Sequence, residues 1–289
     1  MIKIVKTIDF PLTYPANHYL VETDKGFLQI DAGAKQVEDH SVNPDYLLIT
    51  HWHWDHTYGI VGKKSLNICI SKESFDKINP EKSLERMKEI VASVEGLQAW
   101  EFAREGAEIY TRKYVDIYRS LREDHNIIWL NECPPIVEGL VSYFKCPGHS
   151  DDHVCFIIGD KVFVGDNMAP GWNVTLNDPL KYIESMYRLL LVNWSIAYPG
   201  HGDPLKRKEA VDYIVSTIRS KVRRMCKTLS SLEAHSDLGN IIEKVYGPEM
   251  DGALRYVAAR SLIGYLTSLE EMNIISIKKD RFPWVVKKL

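Results

Sequence analysis

Residues 45–60 read DYLLITHWHWDHTYGI, an apolar run that ends in His51-Trp52-His53-Trp54-Asp55-His56. The run is of strand length and has no polar alternation, which predicts a strand buried on both faces. The six residues after it then form a loop at a strand end, where side chains converge on one point. Imidazoles with a carboxylate are the donor set of Zn(II), Fe(II) or Mn(II). His51 and His53 are two residues apart and face the same way, so they can share one ion. Asp55 and His56 turn toward a second.

Two ions need further ligands, and the chain supplies them in similar settings. His149 lies in Cys146-Pro-Gly-His-Ser, Asp166 ends the run KVFVGD, and His201 lies in Tyr198-Pro-Gly-His-Gly. Each follows or separates predicted strands, and each has a glycine beside it. Seven ligands give three to each ion and one bridge, which Asp166 is placed to be. A solvated His-rich loop is the bland alternative, and the fourfold coincidence in six residues weighs against it. His153, four residues after His149, reads as a buried, hydrogen-bonded neighbour of the ligands, with proton transfer as the sharper alternative. Asp151 and Asp152 read as turn residues.

Outward from this loop, IKIVKTIDF, NHYLVET, GFLQIDAG and LNICI read as strands. Residues 73–124 change texture: Met87, Ile90, Val91 and Val94, then Ile109, Tyr110, Tyr114, Ile117, Tyr118 and Leu121, keep helical spacing. Strands return with IIWL, residues 140–145, HVCFIIG and KVFVGD. A helix from Asp178 to about Leu191 and the strand WSIAY follow. Strands and helices thus alternate in two blocks, which predicts an α/β chain of two packed sheets with helices outside.

The chain has 289 residues with 45% hydrophobic and 26% charged, a profile that excludes disorder. No apolar run approaches the roughly 18 residues of a membrane span. The N-terminal MIKIVKTIDF alternates and reads as a first strand, not a signal peptide. Five cysteines, an odd number without CxxC spacing, predict unpaired thiols and a reducing cytoplasm. Charge divides the chain: residues 1–205 carry 20 basic against 29 acidic side chains, and residues 206–289 carry 16 against 10. A domain boundary near residue 205 is expected.

The set THWHWDHTYGI, CPGHS, VGD and YPGHG resembles the metallo-β-lactamase superfamily over residues 1 to about 205. That resemblance implies an αβ/βα sandwich with a dinuclear centre at one edge of two sheets. It implies His51, His53 and His149 on one metal, Asp55, His56 and His201 on the other, Asp166 as bridge, and Asp31 supporting the site from behind. Zinc is the first expectation for both ions, with iron or manganese as alternatives. GHSDDH (148–153) is similar to the β-lactamase-like endoribonuclease group, and the glyoxalase II-like branch is its neighbour. Residues 206–289 resemble that group's small winged-helix-like domain: a helix near Leu238–Tyr246, a long helix from Gly252 to Met272, and a two-stranded wing. Leu254, Val257, Ala258, Leu262, Leu266, Leu269 and Met272 are expected to form one apolar face. The helical insertion at about 73–124 has no counterpart there and is expected beside the metal loop, as a lid.

The resemblance implies a hydroxide held between two ions as nucleophile, with Asp55 and Asp166 as the catalytic carboxylates. A small ester, thioester or lactone is the leading substrate class. Lactonases of the superfamily carry Tyr three residues past the bridging Asp, and Ala169 stands there. Single-stranded RNA is the alternative, with Lys221, Arg223, Arg224, Lys278, Lys279 and Arg281 as phosphate contacts. A non-catalytic, metal-stabilised binding protein and a mononuclear iron oxygenase are the remaining readings. A homodimer through the C-terminal segment is a further expectation.

Overall fold

The computed structural model describes the chain apart from residues 8–14, 36–42, 83–84, 86–99, 173, 234–235, 250–251 and 280–283. The helix expected around Met87–Val94 lies outside the described residues. The first sheet has six strands in chain order. They are β1 (Ile2–Thr7), β2 (Ala16–Thr23), β3 (Gly26–Ile30), β4 (Tyr46–Leu48), β5 (Asn67–Ile70) and β6 (Asn126–Trp129). β1 to β3 form an antiparallel meander; β3 to β6 run parallel. The second sheet holds β7 (Val141–Lys145), β8 (Val154–Ile158), β9 (Lys161–Gly165), β10 (Ile196–Pro199) and β11 (Leu205–Lys206), in the order β11-β10-β9-β8-β7.

The sheets pack face to face. Tyr19, Val21, Leu28, Ile30 and Leu48 from the first interdigitate with Val141, Val154, Phe156, Phe163 and Tyr198 from the second. Each sheet's outer face is covered by helix. Over the first lie α1 (Trp54–Thr57), α2 (Lys72–Ile78) and α3 (Trp100–Glu123); over the second lie α4 (Pro179–Leu191) and α5 (Arg207–Ser231). The result is an αβ/βα sandwich. Helix starts follow local chemistry. Ser71 caps α2 through the Ser74 N–H, and Asp178 caps α4 through the Lys181 N–H with Pro179 in the first turn.

The C-terminal segment has its own core of Leu238, Ile241, Ile242, Val245, Leu262, Leu266, Leu269 and Val286. It joins α6 (Leu238–Tyr246), α7 (Gly252–Glu271) and a small sheet of β12 (Ser236–Asp237), β14 (Val285–Lys288) and β13 (Ile275–Lys278). The buried stripe of α7 is offset from the expected one: Ala258, Ala259, Leu262, Leu266 and Leu269 are buried, whereas Leu254, Val257 and Met272 are exposed. Tyr265 turns inward in their place, because α7 packs on α4, α5 and α6 at once and buries a broader face.

The cysteine reading is corrected. Cys69 pairs with Cys133 and Cys146 with Cys155, leaving only Cys226 free and exposed. Neither pairing is visible in sequence spacing. Cys69 lies on β5 and Cys133 just beyond β6, 64 residues apart, and the parallel pairing of β5 and β6 brings their Cα atoms to 5.8 Å. A reducing compartment therefore no longer follows from the cysteines. No helix among the described residues is long and apolar enough to cross a membrane.

Candidate metal centre

The seven residues expected as ligands meet at one end of the sandwich, where strand ends of both sheets face each other. His51, His53, His149 and Asp166 form one cluster; Asp55, His56, Asp166 and His201 form a second. In the first, His53 Nδ1 stands 3.0 Å from His51 Nε2 and 2.8 Å from His149 Nε2, and Asp166 Oδ2 is 3.3 Å from His149 Nε2. In the second, Asp166 Oδ1 is 3.0 Å from His56 Nε2 and 3.3 Å from His201 Nε2, and Asp55 Oδ2 is 3.5 Å from His201 Nε2. The two oxygens of one carboxylate thus face the two clusters.

Backbone turns make this convergence sterically permissible. Gly200 lies against the Asp166 turn, and a Cβ there would sit 2.1 Å from Asp166 Oδ1 and 2.9 Å from the His56 ring. Only glycine lets the His201 turn come so close. Asn17 on β2 fastens that turn from the other sheet, donating to the carbonyls of Pro199 (3.0 Å) and Gly202 (2.7 Å).

The outer nitrogen of four imidazoles is committed. His149 Nδ1–H donates to the Thr175 carbonyl at 2.8 Å, and His201 Nδ1–H to the Pro15 carbonyl at 2.9 Å. His56 Nδ1–H donates to Asp31 Oδ2 at 2.9 Å. His51 Nδ1–H donates to the Thr50 hydroxyl (3.0 Å), which passes its own hydrogen to Asp31. A carbonyl or carboxylate can only accept, so in the neutral imidazole these bonds fix the tautomer and turn the Nε2 lone pair inward. Four such lone pairs and the inward nitrogen of His53 face a carboxylate.

Lone pairs facing lone pairs repel unless a cation lies between them. His56 Nε2 and Asp166 Oδ1 are buried and hydrogen-bond to nothing. Around an ion with bonds of about 2.0–2.1 Å, tetrahedral ligand atoms stand roughly 3.3 Å apart, and the spacings here, 2.8 to 3.9 Å, bracket that value. The donor set therefore fits two divalent ions.

The two clusters differ in charge. Burial pushes His51, His53 and His149 below the ordinary imidazole range, and the neighbouring imidazoles push His51 and His53 further down. Burial also opposes charge on His56 and His201, but the Asp166 and Asp55 carboxylates prevail, joined at His56 by Asp31; they hold His56 well up and His201 at about 10. Burial resists charge on Asp55, yet His56 and His201 hold it at about 2. Three carboxylates, those of Asp31, Asp55 and Asp166, are gathered in one buried place, which is stable only around positive charge.

His153 is buried, with its ring stacked on His51 at 4.7 Å. Its Nε2 accepts the Asp166 N–H at 3.2 Å, and Nδ1 faces Cys146 Sγ at 3.3 Å. Burial pushes it down to about 3, so it stays neutral. Asp152 points away from both clusters and accepts from the Trp52 N–H (2.9 Å) and the Ser74 hydroxyl (2.6 Å), tying the metal loop to α2. Thr50, Asn17 and Thr175 were not legible as site residues, because each acts through a partner distant in sequence or through a backbone atom.

Around the centre, Trp52 and Trp54 are core residues. Tyr114 of α3 stacks on Trp52 at 4.9 Å, and Lys113 lies 4.2 Å over both Trp54 and Tyr58. A cleft of about 500 Å³ opens on the His201 side, lined by Lys6, Pro15, Pro170, Trp172, Asp203 and Leu205. Of the basic residues expected on phosphate, two are spent on backbone carbonyls and a third on a surface ion pair. Lys221 donates to the Val174 carbonyl, Arg224 donates to the Val245 carbonyl and lies over Tyr246, and Lys279 pairs with Glu270. Arg281 lies outside the described residues.

No protein-family model matches the chain. It is 27% identical over 198 residues to the lactamase-like protein aptB of Emericella nidulans, a match covering 64% of this chain and 50% of the relative. The chain thus spans about half the length of that relative. The fold overlays a metallo-β-lactamase family protein of Thermus thermophilus with a TM-score of 0.71 and 16% identity, covering 100% of this chain and 98% of the other. The chain has the metallo-β-lactamase fold. An atrochrysone carboxyl ACP thioesterase of Passalora fulva is 22% identical over 269 residues, covering 86% of this chain and 68% of the relative.

Proposed function

We propose that this chain is a metallo-β-lactamase superfamily member and a metal-dependent hydrolase of a small thioester, with simple esters and lactones as neighbouring substrates. The observation that carries the metal part is the committed outer nitrogens, which aim four imidazole Nε2 atoms and a shared carboxylate at two points. His51, His53 and His149 would hold one ion, Asp55, His56 and His201 the other, and Asp166 would touch both. Such a pair supplies Lewis acidity toward a carbonyl oxygen and water at a pKa lowered toward about 7. Zinc suits the nitrogen-rich set best.

The chain's own groups do the rest. Asp166 is positioned to orient an attacking water and take its proton. Asp55, held ionised, keeps negative charge opposite His201 and His56. Asp31, Thr50, Thr175 and Pro15 fix the imidazole tautomers. The cleft beside His201 offers Pro15, Pro170, Trp172 and Leu205 to an acyl group and the Lys6–Asp203 pair, at 2.7 Å, to its polar end. Its volume is that of a small-molecule site. The thioesterase name of one relative supports the thioester over the lactone. So does Ala169, whose N–H donates to the Tyr213 hydroxyl at 3.0 Å and which brings no phenol of its own.

The test is turnover of thioesters, esters, lactones and single-stranded RNA by metal-quantified protein, with and without chelator. Chelator-sensitive thioester hydrolysis that His51→Ala and Asp166→Ala each lower at least about 10³-fold is expected. Full activity in either variant overturns the reading. RNA cleavage with thioesters untouched moves the substrate to the polymer.

A further inference from the structure

Residues 169–178 run from the Asp166 turn to the start of α4, and their middle carries the acceptor of a candidate ligand. The Thr175 carbonyl takes the Nδ1–H of His149 at 2.8 Å. On one side this segment is tied to the His149 turn itself: the N–H groups of Asn177 and Asp178 both donate to the Gly148 carbonyl, at 2.9 and 3.0 Å. On the other side it rests on the C-terminal helices. Lys221 of α5 donates to the Val174 carbonyl at 2.9 Å, one residue before Thr175. Gly264 of α7 lies against the next residues, where a Cβ would stand 2.5 Å from the Leu176 carbonyl oxygen and 3.1 Å from that of Asn177. Arg260 and Ser268 of α7 reach Asn177 Oδ1 (3.2 Å) and Asp178 Oδ1 (3.3 Å). Thr175 is thus gripped between the His149 turn and two helices far from it in sequence.

Lys221 is unusual in its setting. Burial, with Arg224 beside it, pulls its ammonium down to about 8, and it donates to a neutral backbone carbonyl. An ammonium kept in a place that disfavours its charge is doing something a leucine could not.

We infer that Lys221 and Gly264 are positioning residues for His149: they fix the Val174–Asn177 backbone so that the Thr175 carbonyl holds the imidazole in register with His51 and His53. The C-terminal helices are, on this reading, the rear wall of the metal centre. This rests on the metal reading above.

The test uses full-length protein loaded with zinc, or with cobalt as a spectroscopic stand-in, and the variants Lys221→Met, Lys221→Arg, Gly264→Ala and, as a surface control, Lys287→Met. Zinc dissociation constants come from competition with a chromophoric chelator. Lys221→Met and Gly264→Ala are each expected to weaken one of two ions about 10-fold. They should also shift the cobalt absorption bands and lower kcat at unchanged KM, with the circular dichroism of the metal-free protein preserved. Lys221→Arg restores most of the affinity, and Lys287→Met changes none of it. Two bound ions whose affinities neither Lys221→Met nor Gly264→Ala alters overturn the inference alone. Wild-type protein that takes up fewer than two ions overturns the metal reading, and this one with it. Should Gly264→Ala fail to fold, Lys221→Met decides, because it adds no atom to the helix contact.

Discussion

Asp31 reaches His56 by an unusual backbone: its φ is 59°, in the left-handed region, and its Oδ2 lies 2.9 Å from His56 Nδ1. A non-glycine residue held there costs on the order of 1 kcal/mol, and such strain persists where the surroundings over-determine it. Here the same carboxylate also accepts the Thr50 N–H at 2.8 Å and the Thr50 hydroxyl, so it orients His51 and His56 together. Asp31→Asn keeps the size and the tolerance of positive φ and loses the anionic acceptor. It is expected to weaken binding of the ion on the His56 side about 10- to 100-fold, with the circular dichroism spectrum unchanged. Zinc titration against a chelator checks it, and unaltered affinities would take Asp31 out of the site.

The helical insertion is fastened to the metal loop where Tyr114 stacks on Trp52, and Tyr114 is 2% exposed. Tyr114→Ala leaves a cavity between α3 and the loop and is expected to cost about 3–5 kcal/mol of stability. Lys113→Met removes only the ammonium over Trp54 and Tyr58 and should cost no more than about 1 kcal/mol. Urea unfolding of both variants measures the difference. Equal losses would mean the two contacts do not rank by burial.

The sandwich and the convergence of the seven side chains were legible because their signals are local. The apolar run before His51, the glycine turns at His149 and His201, and the strand ending in Asp166 each sit within a few residues. What was not legible is pairwise and distant. Thr175 acts on His149 across 26 residues, Pro15 on His201 across 186, and Asn17 on Pro199 across 182. The basic tail shows a related limit. Lys221 and Arg224 count toward net charge, yet their heads are spent on backbone carbonyls, a fact that composition does not carry.

The cysteines show the same limit, and a labelling experiment separates the two readings. With Cys69–Cys133 and Cys146–Cys155 closed, alkylation of the denatured, unreduced protein adds one label, at Cys226. After reduction all five cysteines of the sequence react. Intact mass distinguishes the outcomes. Five labels before reduction would restore the reading from spacing, and three would mean one pair only. Closing the 64-residue loop between Cys69 and Cys133 restricts the unfolded chain, so reduction is expected to lower the melting temperature as well.

Lys221 gives a pH dependence with a definite sign. In the folded protein its ammonium titrates at about 8, against an ordinary 10.5, chiefly through burial and secondarily through Arg224. Between these values the unfolded chain binds more protons than the folded one, so this residue makes stability rise with pH from about 8 toward 10.5. At pH 7 the protein carries the full burden of the buried charge, roughly 3 kcal/mol from that shift. Tyr182 and Tyr265 act oppositely near the top of that window, because burial lifts their phenols and unfolding releases them. The comparison therefore has to be a difference between two proteins. The stability of Lys221→Met minus that of wild type, both metal-free and measured in urea, is expected to be more favourable to the variant at pH 7 than at pH 9.5. The tyrosines cancel in that difference because both proteins carry them. A difference that stays flat across the two pH values would mean Lys221 keeps an ordinary affinity for its proton, and that the contact with Val174 is made by a group already at home in solvent.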